Sequence, residues 1–152
     1  MSEVFHFGSF ELLSGERIDL RLDKKEPADP ARGYVPAYDF HLTLHGTAEK
    51  VGSLRLRIGT AEQLYFPGHL GYDVDEPFRG RRYAEEACRL VIPVALFHDL
   101  HALILTCNPD NAPSKRTIEN LGARLLGQVE IPPTHEMYAE HGPLLLRYEW
   151  AF

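Results

Sequence analysis

The chain has 152 residues, of which 44% are hydrophobic and 25% are charged, so we expect one globular domain over residues 1–152. The formal net charge of -6 argues against nonspecific nucleic-acid binding. No apolar run approaches the roughly 20 residues that span a bilayer, and the N-terminus lacks the basic and apolar regions of a signal peptide. We therefore expect a cytoplasmic protein that binds neither membrane nor nucleic acid.

The first half of the chain has the pattern of antiparallel strands. Segments in which apolar and polar residues alternate, or short apolar segments between turns, occur at residues 16–22, 34–45, 50–59 and 69–74. Residues 23–33 are charged and contain proline and glycine, so they predict a loop, and residues 45–49 predict a hairpin turn. The expected arrangement is an antiparallel meander.

The second half changes to helical spacing. From Arg81 onward apolar residues recur on one helical face, and Pro93 lies inside that pattern, so the helix should kink or restart there. Residues 101–107 are an almost continuous apolar run, which is typical of a strand buried on both faces. A second, short helix is predicted over residues 111–122.

Two further strands complete the predicted fold. They lie at residues 123–131 and 143–150, with a polar loop at residues 132–142 between them. The order of elements predicts the α+β class, with one mixed, mostly antiparallel sheet flanked by helices. The two cysteines, Cys88 and Cys107, are expected to be reduced.

A cluster of arginines marks the turn that precedes the first helix. Arg79, Arg81 and Arg82 surround Gly80, although a helix N-terminus already carries partial positive charge. A glycine-containing turn before a helix presents backbone N–H groups to anions, and an anionic ligand would offset the repulsion among the arginines. Composition alone also allows a solvated basic turn that binds nothing.

Two stretches of the chain resemble the GNAT superfamily of acyl-CoA-dependent N-acetyltransferases. They are "GYDVDEPFRGRRYAEEACRL", residues 71–90, and "TCNPDNAPSKRTIENLGA", residues 106–123. The cofactor motif of the family is Arg/Gln-x-x-Gly-x-Gly/Ala. Arg79 and Ala84 match its first and last positions, and Gly80 matches the glycine that commonly follows the arginine. The sequence departs from the motif at Arg82, where the family expects glycine.

The second signature of the family is Asn-x-x-Ser/Ala at the start of the next helix and Gly-Phe/Ala at its end. The matching positions are Asn111, Ser114, Gly122 and Ala123. Asn111 is also a good helix N-cap, so it either caps the helix alone or contacts the cofactor as well.

The resemblance implies a function, a fold and a set of site residues. It implies transfer of an acetyl group from acetyl-CoA to a primary amine of a small molecule or peptide, without a metal, and a homodimer is possible. The helices that the family places between its first two strands are here shortened to residues 23–34. The cofactor-binding residues that it implies are Tyr72, Val74, Arg79, Gly80, Arg81, Arg82, Tyr83, Ala84, Asn108, Asn111, Ser114 and Lys115.

The proton-transfer residues are less well defined by the resemblance. Many family members carry a tyrosine in the second helix that protonates the departing thiolate, and Ile118 occupies that position here. The loop at residues 132–142 contains titratable groups, so we expect Tyr138 to supply the proton, with Asp73 or His135 as the base. A plain solvated loop remains an alternative for this segment.

Other titratable residues also have two interpretations. His69 is a further candidate base, or a hydrogen-bonded histidine at a strand end. Lys115 either meets the ribose phosphate of the cofactor or lies on a solvated helix face. For the whole chain, the alternatives to an enzyme are a noncatalytic acyl-CoA-binding or regulatory module on the same fold, or an oligomeric structural protein with a vacant cleft.

Overall fold

The computed structural model describes residues 4–152 and has an α+β fold. The strands of this part of the chain are β1 (Leu12–Ser14), β2 (Ile18–Glu26), β3 (Ala37–Leu44), β4 (Lys50–Arg57), β5 (Leu70–Val74), β6 (Ala102–Cys107), β7 (Arg124–Glu130) and β8 (Leu144–Ala151). Its helices are α1 (Tyr83–Leu90), α2 (Ile92–Phe97), α3 (Ala112–Asn120) and α4 (Tyr138–His141).

The first five strands form one antiparallel sheet in chain order. Alternation along β3 explains how this sheet packs: Tyr38, Phe40 and Leu42 are buried in the core, whereas Asp39 and His41 lie on the opposite face. The apolar face packs against α1 and α2. The expected meander is therefore present.

The remaining strands form a second, three-stranded antiparallel sheet with the order β6-β8-β7. The two sheets meet where the backbone N–H of His69 donates to the C=O of Ile104 at 2.7 Å. The expected fold class is confirmed, with one difference: the sheet is divided into two parts. The division lies between β5 and β6, which are not paired along their length.

The helical segment is interrupted as its proline predicts. Helix α1 ends at Leu90 and α2 begins at Ile92, because Pro93 lacks an N–H group and is accommodated in the first turn of a new helix. Ala87 and Cys88 on α1 and Val94 on α2 are fully buried, so both helices cover the same core.

Three predicted boundaries need correction. β2 continues to Glu26, into the segment expected to be a loop, because a bulge between Leu22 and Lys24 restores pairing with β3. The short edge strand β1 was not predicted, since three residues carry too little alternation. The late loop contains the single-turn helix α4.

The connection between β2 and β3 is short, as expected. It contains only a 3-10 turn at Pro30–Arg32 and an isolated bridge between Asp29 and Tyr34. None of the helices within residues 4–152 has the length and apolar composition needed to cross a bilayer. The expectation that the N-terminus is not a signal peptide includes residues 1–3, which lie outside the described part of the chain.

Candidate active site

The candidate site begins at the gap between β5 and β6. The N–H of Asp75 donates to Val51, toward β4. Because backbone groups alternate in direction along a strand, the N–H groups of Tyr72 and Val74 point to the other edge of β5, toward the gap. An extended ligand in the gap therefore meets unpaired donors on β5.

The turn before α1 presents further backbone donors. Within residues 4–152, the N–H groups of Gly80, Arg81 and Arg82 donate no hydrogen bond. Gly80 has φ +80 and its missing side chain would enter open space. Arg82 is the N-cap residue of α1 and has φ 62. The turn thus has the properties of an anion-binding site: free N–H groups, a helix N-terminus and open space beside Gly80.

The three arginines of this turn have different contacts. Arg79 donates from Nε to the C=O of Val74 at 2.8 Å, which links the turn to the end of β5. Arg82 forms an ion pair with Glu85 at 2.9 Å. The guanidinium of Arg81 lies 5.9 Å from the ring centroid of Phe78. The side chain of Arg81 has no carboxylate within 4.0 Å in the described chain.

Glu86 anchors the start of α1 to the β1–β2 hairpin. Its Oε2 accepts from the backbone N–H groups of Glu16, Arg17 and Ile18 at 3.1, 3.0 and 3.1 Å, and its Oε1 accepts from Arg17 Nε at 2.9 Å. Burial would raise the pKa of Glu86, but these hydrogen bonds and the charge of Arg17 hold it below the ordinary value. Arg17 also donates to the C=O of Arg81 at 2.9 Å, which holds the turn in place.

Helix α3 lies on the other side of the gap. Asn111 is its N-cap, and the side chain of Asn111 accepts from the N–H of Ser114 at 3.2 Å. The side chain of Asn108, just before the cap, donates to the C=O of His141 at 2.6 Å. Asn108, Asn111 and Ser114 all line the same cleft.

Tyr72 joins β5 to α3 inside the gap. Its hydroxyl is 3.0 Å from Ser114 Oγ. Burial raises the pKa of Tyr72 well above its ordinary value, so the phenol stays protonated over the whole neutral range. Cys107 lines the cleft as well, and burial raises the pKa of its thiol. Both groups are therefore neutral, and the Tyr72–Ser114 pair offers a proton.

The gap opens into a cleft of about 890 Å³. A contact between two distant segments borders the mouth: the hydroxyl of Tyr34 donates to Glu136 at 3.0 Å. Arg32 lies over the ring of Tyr34, with its guanidinium 4.5 Å from the centroid. The short β2–β3 connection thus reaches the β7–β8 loop and forms a wall of the cleft.

The structure separates the expected catalytic residues. His135 lines the cleft, and its role as a base stays a prediction. Tyr138 lies on α4 outside the lining residues, so its geometry does not support a role as proton donor. Asp73 is not among the residues that line this cleft, and 71% of its side chain is exposed, so its role as a base stays a prediction.

His69 has the structural role that was its alternative interpretation. Its Nδ1 accepts from the N–H of Ile104 at 2.8 Å, and its Nε2 lies 2.9 Å from the C=O of Gly59. Burial lowers the pKa of His69, so the ring is neutral. Both ring nitrogens are occupied, and the residue joins the two sheets.

The other expected cofactor residues differ in exposure. Tyr83 is 9% exposed and belongs to the core, so only its backbone faces the turn. Ala84 and Lys115 are half-buried. Ile118 is fully buried in the core, and its aliphatic side chain has no proton to donate to a thiolate.

The sequence did not identify Tyr34 or Arg57 as residues of the cleft. It also did not give the side chain of Tyr72 a chemical role. Tyr72 was expected only for its backbone. Tyr34 and Arg57 lie in segments whose strand pattern gives no sign of chemistry. One sequence feature could have identified Arg57: it is a cation on the strand that precedes the predicted cofactor-binding strand.

Comparison with known proteins agrees with this geometry. Residues 14–124 match the family model described as the acetyltransferase (GNAT) domain. The uncharacterized N-acetyltransferase YnaD of Bacillus subtilis (strain 168) is 30% identical over 92 residues, or 57% of this chain and 54% of that protein. The match therefore spans about half the length of this curated relative.

Solved structures share the fold at low sequence identity. The ribosomal L7/L12 alpha-N-protein acetyltransferase RimL, in complex with coenzyme A, has a TM-score of 0.67 and 13% identity, covering 93% of this chain and 98% of that chain. The microcin C7 self-immunity acetyltransferase MccE, in complex with acetyl-CoA and AMP, has a TM-score of 0.58 and 16% identity, covering 76% and 61%. Given the family match over residues 14–124, the chain belongs to the GNAT family of acetyltransferases.

Proposed function

We propose that the protein is an N-acetyltransferase that moves an acetyl group from acetyl-CoA to a primary amine. One observation carries this proposal: the N–H groups that β5 leaves free along the gap are followed by those of the turn before α1, which Arg79 links to the end of β5. A long ligand with a phosphate at one end and an extended arm at the other meets donors along its whole length. Acetyl-CoA has this form, and the solved relatives bound to coenzyme A or acetyl-CoA support it.

The residues of the turn fit a pyrophosphate group. The N–H groups of Gly80, Arg81 and Arg82 donate to phosphate oxygens, and the N-terminus of α1 adds partial positive charge. Arg81 is the cation of this turn without a carboxylate partner in the described chain, so it is the side chain best suited to pair with the phosphate. We assign Lys115, at the start of α3, to a second phosphate.

The free edge of β5 fits the transfer step. Acetyl-CoA would supply a thioester whose carbonyl carbon forms a bond to the amine nitrogen while its bond to sulfur breaks. The N–H of Tyr72 or Val74 donates to the carbonyl oxygen and stabilises negative charge that develops there. The amine must lose its proton to attack, and His135 in the cleft accepts it directly or through water.

We assign the second proton transfer to Tyr72. Its hydroxyl lies in the gap, bonds to Ser114 and stays protonated, whereas Ile118 carries no proton. Tyr72 donates its proton to the departing thiolate and regains one through Ser114 or solvent. This assignment replaces Tyr138, which lies outside the cleft lining.

A panel of primary amines with acetyl-CoA tests the function. Release of free thiol that depends on both substrates is the expected result, together with binding of coenzyme A by calorimetry. Binding without turnover on any amine would favour the noncatalytic acyl-CoA-binding module, an alternative that the buried Ile118 keeps open. Absence of coenzyme A binding would contradict both.

A further inference from the structure

Arg57 is a cation in the cleft that takes no part in the proposed acetyl transfer. Arg57, at the end of β4, is half-buried and lines the 890 Å³ cleft. Its one hydrogen bond is a long contact from Nη1 to the C=O of Gly68 at 3.4 Å. Within residues 4–152, no carboxylate oxygen lies within 4.0 Å of its guanidinium.

The neighbouring Arg55 has the carboxylate partner that Arg57 lacks in the described chain. Arg55 lies two residues away on the same face of β4 and forms a bidentate pair with Asp39, at 2.6 and 2.9 Å. Asp39 is thus committed to Arg55. Three carboxylates of the described chain line the cleft: Glu26 pairs with Lys24 at 2.7 Å, Glu136 accepts from Tyr34, and Asp29 lies beyond 4.0 Å of the Arg57 guanidinium.

A half-buried guanidinium without a counter-ion is unfavourable. Burial, followed by repulsion from Arg55, lowers the pKa of Arg57, yet an arginine remains charged at neutral pH. Such a group is stabilised when an anion enters the cleft and accepts from its planar fork. An aliphatic side chain would serve better if Arg57 were needed only for packing.

The position of Arg57 places such an anion close to the reaction. The site of a side chain on Gly71 would lie 3.7 Å from both Nη1 and Nη2 of Arg57. Gly71 directly precedes Tyr72, whose N–H and hydroxyl face the gap. Glycine at this position leaves the guanidinium accessible beside the point of acetyl transfer.

We propose that Arg57 binds a carboxylate or phosphate of the acceptor, so that the acceptor is a small amine with an anionic group near its nitrogen, such as a free α-amino acid. This inference rests on the proposed acetyltransferase function and names its substrate class. The anion and the amine must be close in the acceptor, because the guanidinium and the free edge of β5 are close in the cleft. Amines without an anion leave Arg57 unpaired and bind less well.

The test compares matched acceptors and two variants. The acceptors are L-amino acids, the same amino acids as C-terminal amides, and aminoalkylphosphonates, which separate carboxylate from phosphate preference. The parent should prefer an anionic acceptor over its amide by about 10- to 100-fold in kcat/KM, the worth of a charge-assisted hydrogen bond. Arg57→Gln should lose this preference through a raised KM for anionic acceptors, while the amides change little. Arg57→Lys should recover part of it.

A second measurement does not depend on turnover. N-acetyl amino acids, which carry the same anion as the products, are titrated into the protein in the presence of coenzyme A. We expect the parent to bind them and Arg57→Gln to bind them at least tenfold more weakly. The control is Arg124→Gln, whose guanidinium pairs with Glu149 and is 73% exposed, away from the cleft.

Each contrary outcome has its own meaning. Equal use of acids and amides by the parent, with other activity intact, would overturn the inference and leave the transferase function standing. An equal fall in kcat for every acceptor in a folded Arg57→Gln would overturn it too, since Arg57 would then act on the thioester rather than on the acceptor. If no amine is acetylated, the proposed function fails, and unchanged binding of N-acetyl amino acids in Arg57→Gln would reject the anion site separately.

Discussion

Arg82 adopts a backbone conformation that suits glycine. Its φ of 62 lies in the left-handed region, which costs a residue with a side chain roughly 1 kcal/mol. The family motif has glycine at this position, the residue that adopts this conformation without strain. Arginine adopts it here as well.

Arg82→Gly should raise the free energy of unfolding by about 0.5–1 kcal/mol, because it relieves the left-handed strain. Coenzyme A affinity should be retained, since the proposed cradle consists of backbone N–H groups and the Arg82 guanidinium pairs with Glu85. Urea unfolding and calorimetry measure both. Arg82→Ala is the matched control, which removes the guanidinium and keeps the strain. A glycine variant less stable than the alanine variant would contradict the interpretation.

Tyr72→Phe should lower kcat by roughly 10- to 100-fold, because the phenylalanine keeps the packing and removes the proton that the thiolate needs. Affinity for acetyl-CoA should change little. Tyr138→Phe is the control and should retain the parent's kcat, as Tyr138 lies outside the cleft lining. Steady-state kinetics on the two variants test the assignment of the proton donor. A loss of kcat in Tyr138→Phe with none in Tyr72→Phe would assign the proton transfer to Tyr138 instead.

The site residues differ in how far the sequence could predict them. Asn111 caps α3 through a local contact, which residue type and position along the helix are enough to predict. The Tyr72–Ser114 pair joins residues 42 positions apart. No local pattern carries that information, so the sequence alone directs attention to the titratable groups of the β7–β8 loop instead.

Helix α1 is held at its start by one carboxylate. Glu86→Gln should reduce the free energy of unfolding by about 1–3 kcal/mol, because it weakens three backbone hydrogen bonds and removes the charge opposite Arg17. Glu85→Gln, which disrupts an exposed pair with Arg82, should cost less than about 1 kcal/mol. Equal effects in chemical denaturation would show that Glu86 is not the anchor.

Asp19 closes two turns of the first sheet. It accepts from Gly15 and Gly46 at 3.1 and 2.9 Å and lies 2.9 Å from His45 Nδ1. Burial alone would raise its pKa, but these hydrogen bonds lower the pKa of Asp19 from 3.8 to about 2. Because the pKa of Asp19 is lower in the folded state, its carboxylate stabilises the fold fully at pH values above 3.8. This stabilisation is lost as the pH falls toward 2.

Asp19→Asn should therefore cost about 2 kcal/mol of unfolding free energy at neutral pH. The difference from the parent should shrink as the pH falls from 3.8 to about 2, because the parent then carries a neutral carboxyl group. Urea unfolding of both proteins at a series of pH values measures it. A difference that stays constant with pH would exclude Asp19 as the titrating group.

At the scale of elements, long periodic segments were predictable and short or irregular ones were not. β3, β4 and α1 follow from alternation and helical spacing. β1 is only three residues long, and the extension of β2 depends on a bulge against β3. Both features depend on pairing with another strand, which the pattern of one strand does not contain.

For the whole molecule, the division of the sheet is what produces the site. β5 and β6 meet at His69 and Ile104 and are not paired beyond this junction. The backbone donors of β5, which a continuous sheet would satisfy internally, are then left for a ligand. The order of elements predicts the α+β class but not the gap, which no pattern within one strand records. The buried His69 lies at the closed end of the gap and hydrogen-bonds Ile104.

The central claim is that the turn before α1 binds the phosphates of coenzyme A, and calorimetry on matched glycine variants tests it. Gly80 and Gly46 have φ +80 and +73, and a side chain at either would enter open space, so valine strains both turns alike. The parent and Gly46→Val should bind coenzyme A with similar affinity, whereas Gly80→Val should bind at least tenfold more weakly, roughly 1.4 kcal/mol. Equal affinity for all three folded proteins, or no binding by the parent, would contradict the claim.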